Sequence, residues 1–356
     1  MPIVRFSGRL KGKDDPQREA RSRLLYLLFR AGWDIYNANG DQRITLRNIE
    51  RKIIESDAFV FTPGASLEDM FKATSVLVGY QTKDPHLNGK PTLVLDEDGS
   101  WEMYYALMDH LHATGMIKQE YRELLIPVKT AQEVIEWLEC DPPIGDDRTE
   151  TDPADEFAPT DATEDVTAGM PSQNVCVFCS ASIRTPEVIT DGYRLGRSLA
   201  EAGLGCISGA GNSGVMGSVV RGAVEAGGWS GGSNVPHIIE LEGLPEGISC
   251  FWPRPDIYLR MEVMIQRSQA FVIFPGGAGT FQELLALLIL HQQNSKIMEG
   301  KPVIIFNRLM EDGSRFWGPL FPLLNAAGGK GFYTEVSNLE EVVPTVQRLL
   351  GNAEHA

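Results

Sequence analysis

Residues 274–283, FPGGAGTFQE, follow the apolar run SQAFVIF (268–274) and lead into a leucine-rich segment. Strand, glycine-rich turn and helix in that order are the repeating unit of a parallel sheet covered by helices. The same phrase occurs far upstream, where SDAFVF (56–61) runs into TPGASLEDMF (62–71). Only the later copy carries Gly-Gly and Gly-Thr pairs, and it reads as the longer turn by two residues.

Working outward, LRNIERKIIESDAFVFTP (46–63) lies over LRMEVMIQRSQAFVIFP (259–275). NGKPTLVLDEDGSW (88–101) matches EGKPVIIFNRLMEDGS (299–314), and RAGWDIYNANG (30–40) matches EAGLGCISGAG (201–211). The halves therefore read as an internal duplication. The early half lacks any counterpart to NSGVMGSVVRGAVEAGG and is about forty residues shorter over the matched stretch. Between them, residues 140–171 carry ten Asp and Glu against the single Arg148 and almost no large apolar side chain. Such a segment supports no core and reads as a linker. The expected organisation is a degenerate domain at 1–139, an acidic linker at 140–171 and a complete domain at 172–356.

In the later half the periodicity predicts strands at 174–179, 204–208, near 237–240, 270–274 and 302–306. Helices are expected at 187–202, 214–226, 258–268, 280–292 and 339–350. The order is that of a doubly wound α/β fold.

Composition narrows the function classes. The 356 residues suffice for two domains, and 43% hydrophobic with 22% charged residues is globular. No apolar run approaches the roughly 18 residues of a membrane span, and the first residues hold no apolar signal core, so a cytoplasmic protein with no membrane partner is expected. A net charge of −16 argues against nucleic acid as the main partner. Five sparsely placed cysteines suit reduced thiols; Cys176 and Cys179 match a C-x-x-C spacing, but no second pair completes a zinc site, and no metal is expected.

Two turns carry the chemistry. Gly209, Gly211 and Gly214 satisfy G-x-G-x-x-G between a strand and a helix, with Met216 and Gly217 in the helix that follows. No acidic residue stands where a dinucleotide ribose needs one. The second turn, Pro275, Gly276, Gly277, Gly279 and Thr280, offers backbone amides at a helix start, which suits a phosphate. Thr280 and Glu283, three apart, also match a capping box. Arg260 precedes the same strand on a predicted helix.

The stretches CVFCSAS (176–182), SGAGNSGVMG (208–217) and RMEVMIQRSQAFVIFPGGAGTFQE (260–283) resemble the Lonely Guy family of cytokinin-activating nucleoside 5′-monophosphate phosphoribohydrolases, often described as lysine decarboxylases. The resemblance covers residues 172–350. It implies a Rossmann-like fold, a nucleoside monophosphate substrate and hydrolysis of its N-glycosidic bond; with the repeat, two tandem Rossmann-like domains are expected, and no cofactor. It further implies Arg260 and Glu283 as the catalytic pair, Gly276 to Thr280 as the phosphate cradle, and a homodimer or internal pseudo-dimer. A nucleotide sensor or carrier on the same fold is the alternative. With the two-residue gap placed inside the turn, Asp69 falls opposite Glu283. Asn48, or Arg47 displaced by one helical position, falls opposite Arg260, so a silent early site is expected.

Overall fold

The computed structural model describes residues 2–7, 17–36, 53, 55–87, 89–117, 120–140 and 167–353. The expected linker lies largely outside them, as do Arg47 and Asn48. The chain divides into two compact units, Met1–His112 with Ile117–Ala158, and Ala113–Met116 with Pro159–Ala356. The grouping of Ala113–Met116 with the second unit had no signal in the sequence.

The first unit runs β1 (Ile3–Ser7), α1 (Arg18–Arg30), β2 (Asp34–Tyr36), β3 (Ala58–Phe61), α2 (Leu67–Gln81), β4 (Thr92–Leu95), α3 (Glu102–Ala113), α4 (Tyr121–Leu124), β5 (Ile126–Val128) and α5 (Ala131–Cys140). Its strands are parallel in the order β2-β1-β3-β4-β5.

The second runs β6 (Asn174–Phe178), α6 (Pro186–Glu201), β7 (Gly205–Ser208), α7 (Gly214–Glu225), β8 (Ser230–Asn234), α8 (Pro236–Glu242), β9 (Cys250–Pro253), α9 (Ile257–Arg267), β10 (Ala270–Ile273), α10 (Ala278–Gln292), β11 (Val303–Phe306), α11 (Leu320–Ala326), β12 (Thr334–Val336) and α12 (Val342–Ala353). Seven parallel strands order as β12-β11-β10-β6-β7-β8-β9. The order reverses between β6 and β10, where an open α/β sheet leaves a crevice for a ligand beyond the strand ends. Both units are therefore Rossmann-like α/β sheets, as the pattern predicts.

The later half differs from expectation in five elements. The run His237–Glu240, read as a strand, belongs to helix α8, which Pro236 opens at its first position. The strand lies upstream in SGGSN, all five residues buried, where small side chains are what the crowded sheet admits. Strands β9 and β12 and helix α11 are additional.

Sheet packing follows the two-residue alternation of the strands. Val175, Val177, Cys206, Ala270, Val272 and Ile304 form one buried face with residues of α6, α7 and α12. Phe178 and Phe271 stack on the other, rings parallel to within 4° and 6.1 Å apart.

The matched segments can be compared by strand and helix ends. The N-cap of α2, Ser66, lies three residues after Pro63, whereas that of α10, Gly277, lies two after Pro275. Both helices have 15 residues, and each is followed by a non-glycine residue at positive φ, Lys83 and Asn294. Lys90 and Lys301 then donate to the carbonyls of Ile53 and Ile265, respectively. The later turn is thus one residue shorter than the earlier one, not two longer. Counted from the helix start, the residue opposite Glu283 is Lys72, and Asp69 falls opposite Thr280.

Candidate active site

Helix α9 begins at an aspartate. Asp256 accepts from the amides of Tyr258 and Leu259, both at 2.8 Å, which fixes the first turn of the helix that carries Arg260. The Arg260 Nε donates to the Ser233 carbonyl on β8 at 2.9 Å, and Nη1 stands 3.7 Å from Glu283 Oε1. The guanidinium lies over Gly209: a Cβ there would stand 1.9 Å from Arg260 Nη2. The first glycine of the upstream motif therefore makes room for the arginine.

That upstream turn is otherwise occupied. The amides of Val215 and Met216, at the start of α7, both donate to the Ser180 carbonyl, at 3.1 and 3.3 Å. The Gly211 amide points to the Met216 sulfur at 3.1 Å. Gly214 takes a positive φ of 56°, and Gly217 packs against the Asn212 backbone. These residues shape a wall beside Arg260, while the first amides of α7 are already bonded to protein.

The downstream turn is different. Helix α10 starts at Ala278 with Gly277 as N-cap and no side chain capping it, so its first amides lack intrahelical partners. Thr280 is the third residue of the helix and Glu283 the sixth, so the two form no capping box. The capping box exists instead in the first unit, where the Asp69 amide donates to Ser66 Oγ and the Ser66 amide to Asp69 Oδ2. A Cβ on Gly276 would strike the Thr280 side chain at 2.1 Å. One on Gly277 would lie 2.7 Å from the carbonyl of Met116, which groups with this unit. Gly279 faces open space, with nothing within 4 Å of a Cβ position. Gly279 and Glu283, four apart, share one face of α10.

Glu283 is buried, 6% exposed. Desolvation pushes its carboxyl up to about 7, and the Arg260 guanidinium pulls it down by a smaller amount. The buried Cys176 thiol on β6 is held well above its usual range, first by burial and then by the nearby Glu283. At neutral pH this centre is one acid poised between its two protonation states, beside one fixed cation.

Sequence reasoning missed Asp256, Ser233 and Ser180. Asp256 carried a readable signal, an aspartate just before an apolar helical run. Ser233 and Ser180 act through main-chain carbonyls, which leave no trace in residue type.

In the first unit the equivalent turn is closed from within. Arg21 donates through Nε to Thr62 Oγ1 at 3.1 Å and through Nη2 to the Pro63 carbonyl at 2.8 Å. The Gly64 amide donates to Ser100 Oγ at 2.7 Å. Lys72, opposite Glu283, pairs with Glu68 at 2.7 Å.

Fold and site together define a class, a Rossmann-like α/β protein with an open glycine turn and a buried Arg–Glu pair at the sheet's switch point. A family model described as possible lysine decarboxylase matches residues 216–351. A probable cytokinin riboside 5′-monophosphate phosphoribohydrolase of Oryza sativa subsp. japonica is 30% identical over 181 residues, covering 50% of this chain and 70% of that protein. The cytokinin riboside 5′-monophosphate phosphoribohydrolase of Arabidopsis thaliana is 29% identical over 188 residues, 52% and 77% of the respective chains. Among solved structures, the molybdenum cofactor binding protein from Rippkaea orientalis aligns with a TM-score of 0.41 at 18% identity, covering 51% of this chain and 99% of that one. The chain belongs to the Lonely Guy family of cytokinin riboside 5′-monophosphate phosphoribohydrolases.

Among the described residues no helix is long and apolar enough to cross a membrane, and no cluster of His, Cys, Asp and Glu is arranged to hold a metal ion.

Proposed function

We propose that the second unit hydrolyses the N-glycosidic bond of a nucleoside 5′-monophosphate, releasing the free base and ribose 5-phosphate. The observation that carries this reading is the position of Glu283: buried, beside Arg260, on the same helix whose uncapped start supplies free amides. Amides at a helix start, within the positive end of its dipole, suit a dianionic phosphate. Ala278, Gly279 and Thr280 would receive it, with Pro275, Gly276 and Gly277 setting the turn.

With the phosphate anchored there, the ribose extends along the helix face toward Glu283. As the C1′–N bond breaks, positive charge builds on the ribose ring, and a carboxylate in a desolvated site stabilises it far better than water does. Water adds to C1′, one of its protons passing to the carboxylate, and the departing base takes a proton at its nitrogen. A carboxyl that titrates near 7 suits both halves of that exchange. Arg260, locked by Ser233 and lodged over Gly209, keeps the acid in place. Gly209, Gly211, Gly214, Met216 and Gly217 wall the pocket. The first unit, with Lys72 opposite the acid and its turn filled by Arg21, takes no part in turnover. The assembly proposed is a homodimer or internal pseudo-dimer, and gel filtration of the intact protein distinguishes them.

The test is a panel of nucleoside monophosphates assayed for free base and ribose 5-phosphate, with Glu283→Gln in parallel. Turnover by the native protein and its loss in the variant are expected. Absence of release from every member would reassign the pocket to binding alone, and undiminished release by the variant would remove Glu283 from the reaction.

A further inference from the structure

The two units carry one tryptophan in equivalent positions with unequal bonding. In the first, Asp96 follows β4, its amide donates to Val128, and its Oδ1 accepts from the Trp101 amide at 3.1 Å. In the second, Asn307 follows β11, its amide donates to Val336, and its Oδ1 accepts from the Trp317 amide at 2.9 Å. Strand register makes Asp96 and Asn307 equivalent, since Phe59 pairs with Thr92 as Phe271 pairs with Val303. Both tryptophans are fully buried.

Their indole N–H groups part company. Trp101 Nε1 donates to the Thr62 carbonyl at 2.9 Å, at the root of the first unit's turn. By the same register the equivalent carbonyl in the second unit is that of Phe274, the residue before Pro275. Trp317 Nε1 has no partner among the described residues. A buried donor left unpaired is costly, and native proteins rarely keep one without a use. The difference lies in the turn between: the later one is a residue shorter, and its helix begins at an uncapped glycine rather than at the Ser66–Asp69 box.

We infer that Trp317 is a positioning residue for the glycine-rich turn, its indole N–H donating to the Phe274 carbonyl when a phosphate occupies the start of α10. This rests on the phosphate placement proposed above. The first unit shows the bonded arrangement made permanent; the second keeps it for the ligand-bound state. Part of the binding free energy then comes from satisfying a donor that the free protein leaves unsatisfied, and the turn is drawn to one conformation as the ligand seats.

The experiment follows the tryptophan indole resonances of 15N-labelled full-length protein during titration with ribose 5-phosphate, with Trp317→Phe and Trp101→Phe as variants. The Trp317 indole proton is expected to move downfield on saturation while that of Trp101 stays still. Trp317→Phe should raise KM about fivefold, the worth of one net hydrogen bond, with kcat unchanged and the unliganded melting temperature unchanged or higher. Trp101→Phe should lower the melting temperature and leave KM alone. A Trp317 resonance that stays put in a protein that turns over nucleoside monophosphates would overturn the inference alone. So would Trp317→Phe losing stability with KM intact, the signature of a resident structural bond or water. No turnover, and no ribose 5-phosphate response at any residue, would overturn the phosphate placement and the inference together.

Discussion

Lys72 and Glu283 are each the sixth residue of a 15-residue helix that leaves an equivalent parallel strand, so one position in two matched units carries opposite charges. Glu283 is buried against Arg260, while Lys72 turns to Glu68 one helical turn back. A carboxylate can stabilise a developing cation and an ammonium repels it. If the proposed chemistry holds, this exchange of charge is one of the differences, with the Arg21-filled turn and the Ser66–Asp69 box, that would leave the first unit unable to cleave a glycosidic bond.

Glu283→Gln keeps the shape of the site and removes its charge. Turnover is expected to fall by at least ~10²-fold, the usual contribution of a positioned acid–base group. Ribose 5-phosphate binding, which depends on the amides of α10, should change little. Steady-state kinetics with calorimetric titration of ribose 5-phosphate measures both.

The raised carboxyl of Glu283 makes stability depend on pH in a defined direction. Unfolded, the group titrates near 4.5; folded, near 7. Between those values the folded state holds more protons, so stability is highest below about 4.5 from this group and falls as pH rises toward 7. The loss from this one group is on the order of 3 kcal/mol, and Glu283→Gln should abolish that part of the slope. Urea melts of both proteins at a series of pH values check it. Activity should run the other way, rising with pH through about 7 as the carboxylate forms.

Two glycines separate room needed by the protein from room available to a ligand. Gly209→Ala drives a methyl into Arg260 and should cost activity even where the fold survives. Gly279→Ala meets nothing within 4 Å and replaces a helical glycine, so the unliganded protein should gain up to ~1 kcal/mol in stability. If the space in front of Gly279 receives the phosphate, that same variant binds ribose 5-phosphate more weakly. Unchanged affinity would mean that the ligand lies elsewhere.

The first unit should be catalytically dispensable residue by residue. Ser66→Ala removes the N-cap of α2 and should cost about 1 kcal/mol of stability without altering kcat/KM. Lys72→Ala should likewise leave turnover as it was. A drop in kcat/KM from either, at a temperature where the protein stays folded, would show that this unit participates.

The large architecture was legible because apolar strands and amphipathic helices alternate, and because FPGGAGTFQE announces strand, turn and helix in ten residues. Strand β8 was hidden: SGGSN offers no β-branched or aromatic side chain, and the neighbouring apolar pair Ile238–Ile239 drew the assignment into what is a short helix. Arg260 and Glu283 stood out through the resemblance of RMEVMIQRSQAFVIFPGGAGTFQE to the Lonely Guy family, but their setting did not. The atoms around Arg260 include the Ser233 carbonyl and the empty side of Gly209, and neither is encoded by a distinctive residue. The later turn reads as longer in the sequence than it is, because aligned letters do not show where a helix begins, whereas a cap does.

The carbonyl of Ser180 sits on the first amides of α7 like a stopper. A pyrophosphate seeking the usual glycine-rich berth of a nucleotide fold finds the amides of Val215 and Met216 engaged, whereas the start of α10 carries no side-chain cap. On the phosphate placement proposed above, a dinucleotide would gain no second foothold at α7, and a preference for a single phosphate would follow from the backbone before any base-reading side chain is consulted.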